Sequence, residues 1–209
     1  MATPASASTD TQRSVTLAAL GDSLVQGFGL PMEEGFVPVL QEWLQARGHD
    51  VRVTNAGVSG DTTAGGRARM DWTLADNPDA MIVALGGNDL LRGLDPAESR
   101  ANLDAILTQA AQEDVPVLLA AMPAPGNYGP DFERDFAAMY PELAAEHDVL
   151  LHENFLQPIM ERIEAGDSVA ELMQDDNIHP NAEGVKSIVE AIGPKVEKLI
   201  RRACKTCTG

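Results

Sequence analysis

The stretch GDSLVQG at residues 21–27 ends an apolar run and sets a serine, Ser23, inside a glycine-bounded turn. Serine, aspartate and glycine build ordinary turns, so the stretch alone specifies nothing more. A serine hydroxyl becomes a nucleophile only when a neighbouring base accepts its proton. That base is usually a histidine, held in one tautomer by a carboxylate. The chain offers four: His49, His147, His152 and His179. His49 in ARGHD and His147 in AEHDV fall in polar helix-to-strand turns and read as surface residues. His152 closes the apolar run 148–153 and is the serious competitor. His179 in MQDDNIHPN is best placed, because Asp176 precedes it by three residues, within reach of a single turn. Asp175 could substitute for Asp176. Pro180 biases His179 away from helical backbone angles, and Asn181 suits the cap of the helix that follows.

Acyl transfer would also need donors for a developing oxyanion, each typically worth ~10²–10³ in rate. The backbone N–H groups of Ser23 and Gly60 and the side-chain amide of Asn88 are the candidates. Gly60 suits the role because glycine lets backbone approach a substrate closely. These residues share one property: each loop follows a short apolar run. GDSLVQG follows VTLAAL (15–20), NAGVSGDTT (55–63) follows VRVTNA (51–56), and GGNDLLRG (86–93) follows AMIVALGG (80–87). PAPGNYGPD (123–131) follows VPVLLAAM (115–122), and DVLLHE (148–153) is the fifth run. All but the second are nearly continuous in apolar residues, as strands covered on both faces are.

Amphipathic segments separate the runs. Phe36, Leu40, Trp43 and Leu44 share a helical face in 33–47, and Leu103, Ile106, Leu107 and Ala110 share one in 98–112. In 181–201 the face is Val185, Ile188, Val189, Ile192, Val196 and Leu199, with Gly193-Pro194 expected to kink or divide the helix. Strand–helix alternation predicts an α/β fold, a three-layer α/β/α sandwich around a parallel sheet of roughly five strands. Ligands of such folds bind outside the carboxyl ends of the strands, where the four loops converge and MQDDNIHPN (173–181), before the last helix, supplies an acid and a histidine.

At 209 residues the chain fits one domain, expected over 15–201 between a flexible lead-in (1–14) and a flexible tail (202–209). The tail holds the only cysteines, Cys204 and Cys207, two thiols that do not complete a zinc site. The formal charge of −17, from 15 Lys and Arg against 32 Asp and Glu, repels phosphate backbones and anionic lipid heads. Nucleic-acid binding and stable membrane association are thereby disfavoured, and no apolar stretch reaches the ~18–20 residues that span a bilayer. The opening residues hold no hydrophobic segment, so no intact signal peptide is expected. Oligomeric state leaves no signature.

The motifs resemble the SGNH, or GDSL-type, serine hydrolases: GDSL at 21–24, Gly60 in SGDT, Asn88 in GGND, and DNIHP at 176–180, in that order. SGDTT, GGNDLLRG, NYG and MQDDNIHPN further resemble the bacterial acyl-CoA thioesterase I/arylesterase branch, over roughly residues 15–200. The resemblance implies Ser23 as nucleophile, Asp176 and His179 as its partners, the three oxyanion donors above, and a flavodoxin-like sheet without a large lid. It implies hydrolysis of short- to medium-chain and aryl esters, with thioesters and lysophospholipids as further substrates, and no metal or cofactor. It also implies a periplasmic or secreted protein, a cytoplasmic one being the alternative. Leu24, Asn127, Tyr128 and Ile178 are the expected substrate-lining residues. Arg67, Arg69 and Arg92 could offset the acidic background for a polyanionic acyl-CoA, but simple esters rank first. Two rival readings stand beside this one. Asp22, Asn88, Asp89, Asp176 and His179 could ligate the metals of a phosphoesterase, though one imidazole is few for a paired site. A non-catalytic α/β binding module is the other.

Overall fold

The computed structural model describes residues 14–124 and 126–206. Five strands, β1 (Val15–Gly21), β2 (Val51–Gly57), β3 (Ala80–Ala84), β4 (Val117–Ala120) and β5 (Leu150–His152), pair in parallel in the order β2-β1-β3-β4-β5. All residues of β3 and β4 are buried, which is why their sequences are continuously apolar. β2 lies at an edge and alternates instead, leaving Arg52 exposed.

The helices are α1 (Ser23–Gln26), α2 (Phe36–Gln45), α3 (Thr63–Ala68), α4 (Met70–Leu74), α5 (Gly87–Leu91) and α6 (Pro96–Gln112), then α7 (Pro130–Glu146), α8 (Gln157–Glu164), α9 (Val169–Leu172) and α10 (Ala182–Thr206). Short 3₁₀ turns span Met32–Glu34 and Gly126–Tyr128. α10 packs against α2, α8 and α9 in one layer; α6 packs against α3, α4 and α7 in the other. The apolar residues expected to face inward from α6 and α10 are all buried, as are Phe36, Leu40 and Leu44 of α2.

Two readings differ from expectation. Gly193-Pro194 does not divide α10, which runs unbroken from Ala182 to Thr206. The carbonyl that Pro194 cannot pair belongs to Glu190, on the exposed face where water can reach it. Gly193 serves packing: a Cβ there would sit 2.5 Å from the Trp43 ring of α2. The same helix takes in residues 202–206, assigned above to a flexible tail, because Ala203 is buried in the core and Cys204 packs against it. Cys207 and the lead-in before Ser14 lie outside the described residues. α7 fills the interval between β4 and β5, for which no helical face was named above. Pro130 sits in the first turn, where its missing N–H costs nothing, and Pro141 lies on the solvent side.

The strand order fixes the site. The chain leaves β1 for β2 on one side and returns to β3 on the other. The carboxyl ends of β1 and β3 therefore open a crevice, the switch point at which doubly wound sheets bind ligands.

Candidate active site

Asp22 follows β1 directly and caps α1, its Oδ1 accepting the Leu24 N–H at 3.0 Å. Ser23 is the first residue of this one-turn helix, and its carbonyl accepts from the N–H groups of both Gly27 and Phe28 at 3.1 Å. The serine thus stands on a closed turn at the crevice mouth.

His179 arrives on a loop that is tied at both ends. The Gln174 N–H donates to the His179 carbonyl at 2.8 Å, and the Asn181 N–H donates to the Leu172 carbonyl at 2.9 Å. Gln174 Nε2 donates to the carbonyls of Phe28 and Pro180, at 2.8 and 2.9 Å, clipping this loop to the one after Ser23. Asn181 Oδ1 caps α10 by accepting from the Glu183 and Gly184 N–H groups at 3.0 Å, as expected from sequence. With the loop so held, His179 Nε2 lies 2.9 Å from Ser23 Oγ, and Nδ1 lies 2.6 Å from Asp176 Oδ2. Asp176 Oδ1 accepts two backbone N–H groups, from Ile178 and His179, each at 2.9 Å. The His179 side chain first, then these two amides, hold the Asp176 carboxyl down to about 2. The Phe28 ring lies tilted against the imidazole, centroids 4.6 Å apart.

Gly60 takes the left-handed backbone at φ 82°, a conformation that disfavours any side chain. Arg92 Nη2 donates to its carbonyl at 2.7 Å. Asn88, in the first turn of α5, donates from Nδ2 to Asp22 Oδ2 at 3.3 Å. Asp22 is only 2% exposed, and burial pushes its carboxyl up to about 6 against the opposing pull of Leu24, Asn88 and His179. Asp89 turns the other way: its buried carboxylate accepts from Thr63 N (2.8 Å), Thr63 Oγ1 (2.6 Å) and Ser99 Oγ (2.9 Å). Asp22 and Asp89 therefore do not meet as a ligand pair, and among the described residues no three His, Cys, Asp or Glu side chains converge on a cation-sized point.

Ser23, Gly60, Asn88 and His179 all line one open cleft of about 440 Å³. Of the four residues expected to line it, Leu24 and Ile178 do so, while Asn127 and Tyr128 do not. Asn127 is exposed to solvent. Tyr128 lies over Gly93, packs on Phe132, and donates its hydroxyl to the Leu91 carbonyl at 3.3 Å. The wall instead includes Phe28, Leu91, Met122, Pro123 and Leu156, none of them picked from sequence. Met122 and Pro123 lie two and three residues past the end of β4, so the strand-end rule could have found them. Phe28 carries no such signal.

The other histidines stand apart. His49 pairs with Glu197 at 3.0 Å and His147 with Asp104 at 2.7 Å, each at the molecular surface. His152 is buried, lies outside the cleft wall, and has no hydrogen-bond partner for either ring nitrogen among the described residues. Of the three arginines, Arg67 reaches Asn102 at 3.3 Å and Arg69 is occupied by backbone carbonyls and Asp61. Arg92 alone borders the cleft, through Gly60. No helix among the described residues is both long and apolar enough to cross a membrane.

Known proteins are similar to this chain along nearly its whole length. The esterase TesA of Pseudomonas aeruginosa is 38% identical over 186 residues, covering 88% of this chain and 89% of its own. An arylesterase of Vibrio mimicus is 34% identical, covering 90% of each. The solved psychrotrophic esterase EstA from Pseudoalteromonas, inhibited by monoethylphosphonate, superposes with a TM-score of 0.80 at 30% identity, over 89% of this chain and 98% of that one. The model of the GDSL-like lipase/acylhydrolase family matches residues 19–186, from the end of β1 to the first turn of α10. That span holds all the loops that build the cleft, and the chain belongs to the GDSL-like lipase/acylhydrolase family.

Proposed function

We propose that this protein is a serine esterase, cleaving short- to medium-chain carboxylic esters, aryl esters included, through an acyl-enzyme on Ser23. The observation that carries the reading is the unbroken hydrogen-bonded line Ser23–His179–Asp176, drawn from two loops at one crevice. His179 Nε2 takes the Ser23 proton as Oγ attacks the ester carbonyl. Asp176, ionised across the whole working range, keeps the Nδ1 proton in place and stabilises the imidazolium. The Ser23 and Gly60 N–H groups and Asn88 Nδ2 receive the negative charge on the former carbonyl oxygen. His179 then returns the proton to the departing alcohol, and water repeats the sequence to free the acid.

The apolar wall of Leu24, Phe28, Leu91 and Ile178 suits an alkyl or aryl acyl group. The names of the Pseudomonas and Vibrio relatives, an esterase and an arylesterase, support simple and aryl esters. Thioesters and lysophospholipids extend the same chemistry. The activity is assigned to one domain running from Val15 to the end of α10, in a periplasmic or secreted setting.

Ser23→Ala is expected to reduce p-nitrophenyl butyrate turnover by at least ~10³-fold and to abolish labelling by a fluorophosphonate. Wild-type turnover by this variant would end the reading. Activity lost to EDTA but not to the fluorophosphonate would favour a metallophosphoesterase, and an unlabelled, inactive wild type a binding module.

A further inference from the structure

We propose that Asp22 is a positioning residue that holds the Asn88 amide nitrogen-first, so that Asn88 can donate to the oxyanion. The inference rests on reading Asn88 as an oxyanion donor. A carboxylate only accepts hydrogen bonds, whereas a primary amide presents two donors at one end and an acceptor at the other. Facing Asp22 Oδ2, Asn88 therefore keeps its nitrogen inward; its oxygen there would set two acceptors together. One N–H is spent on Asp22, and the second remains for a ligand in the cleft that Asn88 lines.

The geometry ties both halves of the site to this one group. Oδ1 holds the first turn of α1 through Leu24, while Oδ2 holds the first turn of α5 through Asn88. Gly87 makes the approach possible, since a Cβ there would come within 3.1 Å of Oδ2. Capping alone does not call for an aspartate, because asparagine and serine cap helices about as well without a buried charge. The fold nevertheless keeps a carboxyl that is 2% exposed and whose ionisation burial opposes. What a carboxylate adds over those caps is the one-way choice of the amide's nitrogen.

Asp22→Asn separates the two roles, as it preserves the cap but can offer Asn88 either a donor or an acceptor. Steady-state kinetics on p-nitrophenyl butyrate are compared for the wild type, Asp22→Asn, Asn88→Ala and the double variant, with thermal unfolding of each. Asp22→Asn is expected to lower kcat at least ~10-fold, within the range lost with one donor, while KM changes less than about twofold. The double variant is expected to be no slower than Asn88→Ala alone, because Asp22 acts through Asn88. Asp22→Ser, a shorter neutral cap, makes the same comparison should Asp22→Asn fold poorly. Wild-type kcat in both neutral variants overturns the inference, as do losses that multiply with that of Asn88→Ala. An unimpaired Asn88→Ala is a different failure, since it removes the donor reading itself and the inference with it.

Discussion

Two aspartates serve the same few ångströms of this site, and their surroundings drive their acidities apart. Asp176 collects three donors at an open surface and falls to about 2, whereas Asp22 is shut between β1 and β3 and rises to about 6. The buried one has a consequence for stability. Its carboxyl ionises near 3.8 when unfolded and near 6 when folded, so the folded state binds its proton the more tightly. The stabilisation this gives is complete below about pH 3.8 and is lost as pH rises through 6. Above that, the charged form costs the fold on the order of 3 kcal/mol, at ~1.4 kcal/mol for each pKa unit. Asparagine never carries the charge. Asp22→Asn is therefore expected to unfold at a higher temperature than the wild type at pH 8, with the difference shrinking as pH falls to 3.5. Calorimetry at the two pH values checks this. A gain in stability together with a slower kcat is the pattern of a residue kept for function.

The elements meet at the site through a clamp that lies outside the reacting line. Arg69, at the end of α3, donates from Nε to Asp61 Oδ2 at 2.5 Å, from Nη1 to the Ala56 carbonyl at 2.8 Å, and from Nη2 to the Gly21 carbonyl at 3.0 Å. One planar group thus joins the ends of β1 and β2 to the loop that carries Gly60. A lysine offers a single nitrogen and cannot span these three acceptors. Arg69→Lys is expected to lower kcat several-fold by loosening Gly60 and to cost ~1–3 kcal/mol for the acceptors left unpaired. Kinetics and a urea titration of the same sample test both effects, and a variant unchanged in either would remove the clamp. None of this was visible in the sequence, where Arg69 was one of three arginines that could offset the acidic background. What was visible follows a physical pattern. Buried parallel strands must be continuously apolar, so Ala80–Ala84 and Val117–Ala120 announce themselves, and the site residues follow at strand ends by topology. His179 was legible because its partner Asp176 lies one turn away. Phe28 was not, because Gln174, distant in the chain, holds it over the imidazole. Tyr128 was misplaced for the same reason: its contact with the Leu91 carbonyl is tertiary, and no local pattern encodes it.

At the scale of the whole molecule, charge is expected to discriminate among the esters that reach the cleft. The chain carries −17, and its positive groups near the crevice are mostly committed. Arg69 is bound on three sides, and Arg92 is the one cation identified at the rim, already touching Gly60. A polyanionic acyl-CoA therefore approaches against a repulsive field, while a neutral aryl ester does not feel it. Salt should separate the two, because the screening length falls from roughly 30 Å at 0.01 M to roughly 3 Å at 1 M. Between 0.01 and 0.5 M NaCl, KM for an acyl-CoA is expected to fall several-fold, with KM for p-nitrophenyl butyrate steady within about twofold. Arg92→Gln should raise the acyl-CoA KM most at low salt and leave the neutral ester's KM nearly unaffected, whereas the loss of its bond to the Gly60 carbonyl should lower kcat for both substrates alike. Steady-state kinetics across the salt series, on both substrates and both proteins, carry the test. An acyl-CoA KM that stays flat across the series would show that the acidic surface does not reach the cleft, and that discrimination lies in the apolar wall alone.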